Sequence, residues 1–488
     1  MDAKSFARGF KATLGARTIH IASNGLLVLV LTRFLLTPTE YGILGSALAV
    51  FGVAGLFADL GTSKSAARYV TEYRENDPGQ VPYVLRAALR YRLAAVVIVA
   101  AAFTLFSGTI AHLVNQPDLA PLMTFGGAYI AFYSLSTFAV VVFQGFNKVT
   151  WSAVTRATGS ASLIVFVVVG VLVFGGAGGA LLGYVVSYGL ATVVGLGVLY
   201  WKFYATIDSA DAPEDGLSRR VLRYSVPLTA TQGANVLDKR IDTILVGAIV
   251  GPVAVSYYYL AKNIATFIQA PAASLGFTIS PTYGEQKAED ARSAAARLYE
   301  TTFRHTLLLY VPAAAGLVLV AGPAVTLVFG DKYAGAVPVV QVFSGYVVLE
   351  AVTLITSDAL DYLGRARERA WAKGATSAAN FALNLVLIPS LGAVGAAWAT
   401  VATHSVYVLV NLYVVHHELD LSVSRLLRHV AFVFGITLAM SAVVFAALPF
   451  VSGPLSLVAV VLLGGAVWAG LATVSGLLDL RRVVAVLS

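Results

Sequence analysis

The apolar positions of the chain fall into long, almost unbroken stretches separated by shorter polar segments. A helix needs about 20 predominantly apolar residues to cross a bilayer, and the sequence contains fourteen such stretches. They cover residues 14–36, 41–60, 93–113, 121–143, 151–174, 178–201, 224–250, 254–280, 302–328, 338–361, 371–389, 392–415, 429–450 and 455–478. Isolated strands leave backbone groups unpaired in lipid, and these stretches do not alternate as barrel strands do. The pattern therefore predicts an all-α integral membrane protein with about 14 transmembrane helices.

The composition excludes several other classes of protein. Of the 488 residues, 58% are hydrophobic and 12% are charged, whereas soluble proteins carry about 25% charged residues. This shortage of charge excludes a set of water-soluble domains, a coiled coil and a disordered chain. The sequence contains no cysteine, which excludes disulfides, thiol nucleophiles and cysteine-based zinc sites.

The basic residues predict the orientation in the membrane. With the N-terminus inside, most Lys and Arg residues fall in the inner connecting segments, and the outer loops contain Lys332 alone. Cytoplasmic loops of membrane proteins carry such an excess of Lys and Arg. We therefore expect a multi-pass protein of the cell membrane with both termini in the cytoplasm. The same distribution accounts for the net charge of +8 without a nucleic-acid partner.

Two parts of the chain resemble each other. Residues 31–47 can be overlaid on residues 245–261 with an offset of 214, and residues 176–180 on residues 392–396 with an offset of 216. Each half then contains six spans, so the halves share one orientation and are related by an axis along the membrane normal. The predicted domains are an N-lobe of spans 1–6 (1–207), a cytoplasmic linker (208–222), a C-lobe of spans 7–12 (223–417) and an appended pair of spans (425–482).

Polar residues interrupt a few of the spans. A charge in mid-membrane costs about 2.5–3.5 kcal/mol on insertion scales, so each one requires a partner, a wet cavity or a ligand. The polar positions lie mainly on spans 1, 7 and 8. Spans 1 and 7 are the first spans of the two repeats, and span 8 is the neighbour of span 7. The candidates for binding an anionic head group are Arg17, His20, Asn24, Lys239, Arg240 and Lys262. The candidates for ion coupling or charge pairing are Asp59, Asp238, Asp242 and Glu350.

These faces predict one central cavity, because spans that are equivalent by pseudo-symmetry face each other across the axis. The cations would form a basic ladder through that cavity, which suits an anionic passenger. Other interpretations stay open. Arg17 can snorkel to the interface, the charges of span 7 can neutralise one another as a structural network, and Lys262 can pair with Glu350. The sequence indicates no catalytic residue, and His416, His417 and Glu418 lack the spacing of metal ligands.

Short motifs along the chain resemble one family of transporters. They are Leu36–Gly42 after span 1, Ala58–Gly61 closing span 2, Arg240–Asp242 in span 7, Phe329–Tyr333 before span 10, and Gly392–Ala396 opening span 12. With two six-span lobes, this order is similar to the polysaccharide-biosynthesis flippases of the multidrug/oligosaccharidyl-lipid/polysaccharide exporter superfamily. The resemblance implies a V-shaped pair of lobes that alternates access. It implies a polyprenyl or dolichyl (di)phosphate glycan as passenger, contact with membrane lipids, and association with glycosyltransferases.

Three other functions are alternatives to the flippase function that the resemblance implies. The nearest is a cation-coupled multidrug or small-molecule exporter of the same superfamily, which would need acidic residues in span 1, where the polar face is Arg, His and Asn. A membrane glycosyltransferase would need carboxylates or arginines in large outer loops, and a structural scaffold leaves the mid-membrane charges unexplained. No ATP-binding loop is found, so we do not expect direct use of ATP. We expect a transporter that is not an enzyme and has no cofactor.

Overall fold

The computed structural model describes residues 23–269 and 292–477, and these residues contain helices and connecting segments but no strands. Ten helices in this part are long and apolar enough to cross a membrane by length and composition. The prediction of an all-helical membrane protein is thus confirmed. The count of fourteen spans and the orientation of the termini stay predictions.

The chain divides into two compact units, with the boundary between Ser256 and Tyr257. In the first unit the helices are α1 Ser23–Leu35, α2 Pro38–Asp59, α3 Thr62–Asn76, α4 Val81–Leu105, α5 Ser107–Leu113, α6 Ala120–Gly145, α7 Val149–Phe174, α8 Gly176–Leu199 and α9 Leu217–Ile249. Helix α3 lies in the segment between the predicted spans 41–60 and 93–113, where the sequence predicts a charged cytoplasmic segment without assigning its secondary structure. Its buried residues Ala66, Val70 and Tyr73 recur every three or four positions, so α3 is amphipathic and packs through one face.

Helix α10 (252–269) spans the boundary. The second unit then contains α11 Arg292–Ala324, α12 Val337–Tyr362, α13 Ala366–Leu419, α14 Val423–Ala447 and α15 Pro454–Val474. The long helix α13 covers two predicted spans, 371–389 and 392–415. It breaks at Gly392, whose φ of 58° and ψ of −137° are not helical. Glycine tolerates a positive φ without steric cost, so the two spans meet at this residue.

Inside the first unit, helix α9 packs against α2 and α3 and contacts the segment that follows α5. The Ser65 hydroxyl donates to the Val221 carbonyl at 2.8 Å, and the Asn115 side chain donates to the Ala248 carbonyl at 2.8 Å. A Cβ added to Gly42 would lie 1.7 Å from the Pro252 oxygen. Gly42 of α2 therefore allows the start of α10 to approach closely. The sequence assigns α9 to the second repeat, whereas packing places it in the first unit; the predicted lobe boundaries stay a prediction.

The first residues of α2 explain one of the short motifs. Thr37 is the N-cap, its side chain accepts from the Glu40 amide, and the Glu40 carboxylate accepts from the Thr37 amide. Pro38 occupies the first helical position, where its missing N–H is harmless. This reciprocal capping box pairs backbone donors that would otherwise be unsatisfied. The motif therefore determines where α2 begins.

The acidic segment 208–216, which the sequence predicts as a connector, is docked onto α3 and the start of α4. The Ala210 amide donates to the Gly79 carbonyl at 3.0 Å. The Gln80 side chain donates to the Ala212 carbonyl at 3.1 Å and accepts from the Glu214 amide at 2.9 Å. A Cβ on Gly79 would lie 2.8 Å from the Ala210 nitrogen. A residue larger than glycine at position 79 would therefore displace the segment.

A charged triad closes this docking surface. The Tyr73 hydroxyl donates to the Glu214 carboxylate, and Arg220 pairs with Glu214 at 2.8 Å. Burial, helped by the hydrogen bond to Glu214, raises the pKa of Tyr73 to about 12. The hydrogen bond from Arg220, and then the one from Tyr73, lower the pKa of Glu214 below its ordinary value of 4.5. Tyr73 is therefore protonated and Glu214 ionised at neutral pH.

We expect the docking of this segment to weaken in acid. The pKa of Glu214 is lower in the folded protein, so its contribution is present above the unfolded pKa and lost as pH falls through the folded one. Hydrogen exchange at the Ala210 amide, corrected for intrinsic rates, should be slow at pH 7 and accelerate below 4.5. A Glu214→Gln variant should exchange fast at both pH values. Equal protection of the wild-type amide across that range would contradict the prediction.

Candidate functional site

Arg92 is the centre of a buried polar cluster in the first unit. Its side chain is 0% exposed and ion-pairs with Asp59 at the end of α2. The guanidinium also donates to the Ser134 carbonyl at 2.6 Å, to the Ser63 hydroxyl at 2.5 Å and to the Thr62 hydroxyl at 3.1 Å. A buried charge is tolerated when it is paired and hydrogen-bonded. The candidate Asp59 thus has Arg92 as its ion-pair partner, a residue that is not among the candidates predicted from sequence.

The polar positions of α9 differ in their environments. Asn235 and Lys239 are exposed, Asp238 and Arg240 are half-buried, and Asp242 is buried. They occupy about two turns near the middle of the helix, where charge is expensive in a bilayer. The exposed Lys239 therefore places a positive charge within a predicted span.

The Arg240 side chain lies against α2. Its Nε is 3.0 Å from where a Cβ would stand on Gly52, so the glycine leaves the room that the guanidinium occupies. Arg240 therefore packs, half-buried, against α2 within the first unit.

In the second unit, Lys262 is half-buried on α10, and its amine lies 5.4 Å from the centroid of the Tyr258 ring. The ring face attracts a cation, with about 0.5–2 kcal/mol in such contacts. Thr266, one turn on, is exposed and donates to the Lys262 carbonyl at 2.8 Å. Lys262 and Thr266 thus share one face of α10.

Glu350 lies beside a histidine. Its carboxylate is 3.0 Å from Nε2 of His404, and the Tyr346 hydroxyl donates to it at 3.4 Å. His404 is buried and also lies 3.0 Å from the Thr353 hydroxyl. A carboxylate next to an imidazole can exchange a proton over a short distance. The pair links α12 to α13 in the second unit.

The candidate head-group residues divide between the two units. Arg17 and His20 lie outside the described residues. Asn24, Lys239 and Arg240 lie in the first unit and Lys262 in the second. A single cavity that joins them stays a prediction. The described residues contain no group of three His, Asp or Glu side chains that could hold a metal ion.

Known structures share this fold. The lipid II flippase MurJ in an inward closed conformation aligns over 96% of this chain and 98% of its own, with a TM-score of 0.78 and 15% identity. An inward-facing multidrug resistance transporter of the MATE family aligns over 83% of this chain and 94% of its own, with a TM-score of 0.66 and 16% identity. At such identities the likeness describes the fold alone.

Two curated proteins are similar in sequence. The probable low-salt glycan biosynthesis flippase Agl15 of Haloferax volcanii is 22% identical over 44% of this chain and 46% of its own length. The lipopolysaccharide biosynthesis protein WzxC of Escherichia coli is 24% identical over 69% of this chain and 65% of its own length. The chain thus spans about half to two thirds of these relatives. The family model for polysaccharide biosynthesis proteins matches residues 14–285, more than half of the sequence, and the chain therefore belongs to that family.

Proposed function

We propose that this protein is a flippase that moves a lipid-(di)phosphate-linked oligosaccharide from the cytoplasmic to the outer face of the membrane. The observation that carries the proposal is the exposed Lys239 in mid-α9 of a polysaccharide biosynthesis protein. A phosphate is the anionic group that a lipid-linked glycan brings into the membrane. Two of the similar proteins, the probable flippase Agl15 and the lipid II flippase MurJ, carry names that support the same function.

The energetics of the head group favour cationic contacts in mid-membrane. One phosphate charge 4 Å from an ammonium gains about 4 kcal/mol at an effective dielectric constant near 20. That gain offsets part of the dehydration of the head group without trapping it, if the phosphate passes from Lys239 to Lys262. Arg17, His20, Asn24 and Arg240 are assigned to the same path. The acids Asp238, Asp242 and Glu350 are the candidates for cation coupling.

An apolar cavity in the second unit suits the lipid part of the substrate. It has a volume of about 330 Å³ and is lined by α11, α14 and α15, with Leu309, Met440 and Trp468 among its walls. Small residues widen it, including Gly316 and Gly464. A hydrocarbon chain binds such a surface through apolar contact alone. We assign the appended pair of spans the role of holding the polyprenyl or dolichyl tail.

The transport cycle follows from the predicted architecture. Fourteen spans with both termini in the cytoplasm, arranged as two six-span lobes, would rock about the site and expose it first inside and then outside. An anion that leaves an inside-negative cell gains about 2.3 kcal/mol per charge per 100 mV, so the membrane potential favours export. Glycosyltransferases that build the glycan on the inner face would supply the substrate.

We expect a Lys239→Ala/Lys262→Ala double variant to impair export strongly. Loss of two phosphate contacts should lower the amount of glycan at the cell surface by about tenfold or more. In a host with the native gene deleted, the lipid-linked precursor should accumulate while the protein level stays normal. The measurement is surface glycan against total lipid-linked glycan.

The matched control is Lys148→Ala/Lys332→Ala, which removes two lysines outside the predicted spans. It should export at the wild-type level. Normal surface glycan in the Lys239/Lys262 variant would remove both lysines from the mechanism. If deletion of the gene changes drug resistance and leaves the surface glycan unchanged, the protein is an exporter of small molecules instead.

A further inference from the structure

A second cavity lies wholly within the first unit. It has a volume of about 320 Å³ and is enclosed by α1, α6, α7 and α8. Unlike the cavity beside α14 and α15, it is partly polar. Its polar lining includes Asn24, Tyr133, Ser136, Thr137, Arg156 and Tyr188, together with two small hydroxyl side chains of α7. Polar groups in membrane-spanning segments are expensive and mark ligand pathways, so this lining requires an explanation.

Four tyrosines form one wall beside the cavity. Tyr129 and Tyr133 lie one turn apart on α6, with ring centroids 5.9 Å apart and an interplanar angle of 9°. Tyr184 and Tyr188 have the same spacing on α8, and Tyr188 meets Tyr133 edge-on at 5.0 Å. Tyr129 is 8% exposed, whereas Tyr133 is 43% exposed. The wall therefore begins in the core at Tyr129 and ends at the cavity with the exposed ring of Tyr133.

The remaining lining groups complement those rings. Arg156 is exposed on α7, and Asn24 is half-buried on α1; both side chains donate hydrogen bonds, and the amide also accepts them. The Ser136 hydroxyl is buried and donates to the Tyr133 carbonyl at 2.9 Å, which fixes one turn of α6. Small-molecule sites are typically lined by apolar and aromatic side chains, with a few polar groups that orient the ligand. The lining of this cavity has that composition.

We propose that this cavity is a sugar subsite, which binds one ring of the glycan head group during transport. The inference rests on the proposed flippase function and deepens it. A sugar ring has C–H faces, which pack against Tyr133 and Tyr188, and hydroxyls at its rim, which pair with Asn24 and Arg156. The volume is at the lower end of the range of about 300–1,000 Å³ for ligand pockets, so it suits a single sugar rather than a long glycan.

The test compares two natural probes on the full-length protein in detergent. One is the lipid-linked oligosaccharide that accumulates in a host lacking the gene; the other is the same lipid after mild acid removes the glycan. Affinities are measured by native mass spectrometry. In a Tyr133→Ala/Tyr188→Ala variant we expect the affinity for the glycan-bearing lipid to fall by about tenfold. The affinity for the stripped lipid should not change.

Two control variants separate ring contact from a general disturbance. Tyr133→Phe/Tyr188→Phe keeps both rings and should retain the affinity for the glycan-bearing lipid within about threefold. Tyr413→Ala removes an exposed tyrosine from α13 and should have no effect.

Three results would overturn the subsite. If the double alanine variant binds both probes as the wild type does, the subsite is wrong and the flippase function stands. If that variant loses both probes equally, the tyrosines are structural. If the wild type binds neither probe, the proposed function fails, and the subsite fails with it.

Discussion

An Asp59→Ala variant should lose about 3–5 kcal/mol of stability, the usual effect of removing one partner from a buried ion pair. Arg92 is 0% exposed and pairs with Asp59. Without the carboxylate, the guanidinium keeps its neutral partners Ser63 and Ser134 but has no counter-charge in the core. The unfolding temperature of the purified protein in detergent, monitored by size-exclusion chromatography after heating, measures the loss of stability. An unchanged unfolding temperature would contradict it.

The matched control replaces both partners. In an Asp59→Leu/Arg92→Met variant no buried charge remains, and such replacements are often neutral or stabilising. We expect this double variant to be more stable than Asp59→Ala. If it also exports glycan, the pair is structural and Asp59 is not an ion-coupling residue. If it folds and does not export, Asp59 keeps that candidate role.

A Gly183→Leu variant should destabilise the first unit by about 3 kcal/mol or more, because the side chain would overpack a tight helix contact. Helices α7 and α8 approach closely through glycines. A Cβ on Gly183 would lie 2.3 Å from the Val167 Cα, and one on Gly170 would lie 2.2 Å from the Gly179 oxygen. Small residues let backbones meet in this way in membranes, where lipid provides no hydrophobic driving force. Unfolding temperature and expression level are the measurements.

Gly178 provides the comparison on the same helix. A Cβ there would have no atom within 4 Å, so Gly178→Ala should be neutral or slightly stabilising through helix propensity. A Gly183→Leu protein as stable as Gly178→Ala would show that α7 and α8 can separate without loss.

The sequence predicts the helical class because the length of an apolar stretch alone decides whether a helix can cross a bilayer. It does not predict α3, since a search for apolar stretches overlooks a helix with one apolar face, such as that of Ala66, Val70 and Tyr73. The break in α13 lies at Gly392, the first residue of the predicted span 392–415, so the sequence predicts the place of the break. Packing units are harder to predict, because a repeat in sequence does not determine which neighbour a helix such as α9 contacts.

The site is predicted less completely than the fold. Arg92 lies one residue before the predicted span 93–113 and is therefore assigned from sequence to the basic inner segment, yet it continues the buried series Leu85, Ala88, Arg92 and Val96 on α4. Helical spacing could therefore have identified it. The sequence does not indicate the tyrosine pairs of α6 and α8, because neutral residues do not interrupt an apolar stretch. Whether Lys239 and Lys262 share a cavity depends on how two packing units meet, which no local pattern contains.

The docked segment 208–216 has a mechanical consequence for α9. The start of α9 is hydrogen-bonded to α3 through Arg220 and through the carbonyl of Val221. The docked segment therefore does not act as a flexible linker before α9. Pro227 lies two turns further along α9, and a proline removes one helical hydrogen bond and weakens the helix locally. If the remainder of α9 moves, we expect the hinge to be at Pro227, with about three turns before it, from Leu217 onward, staying fixed.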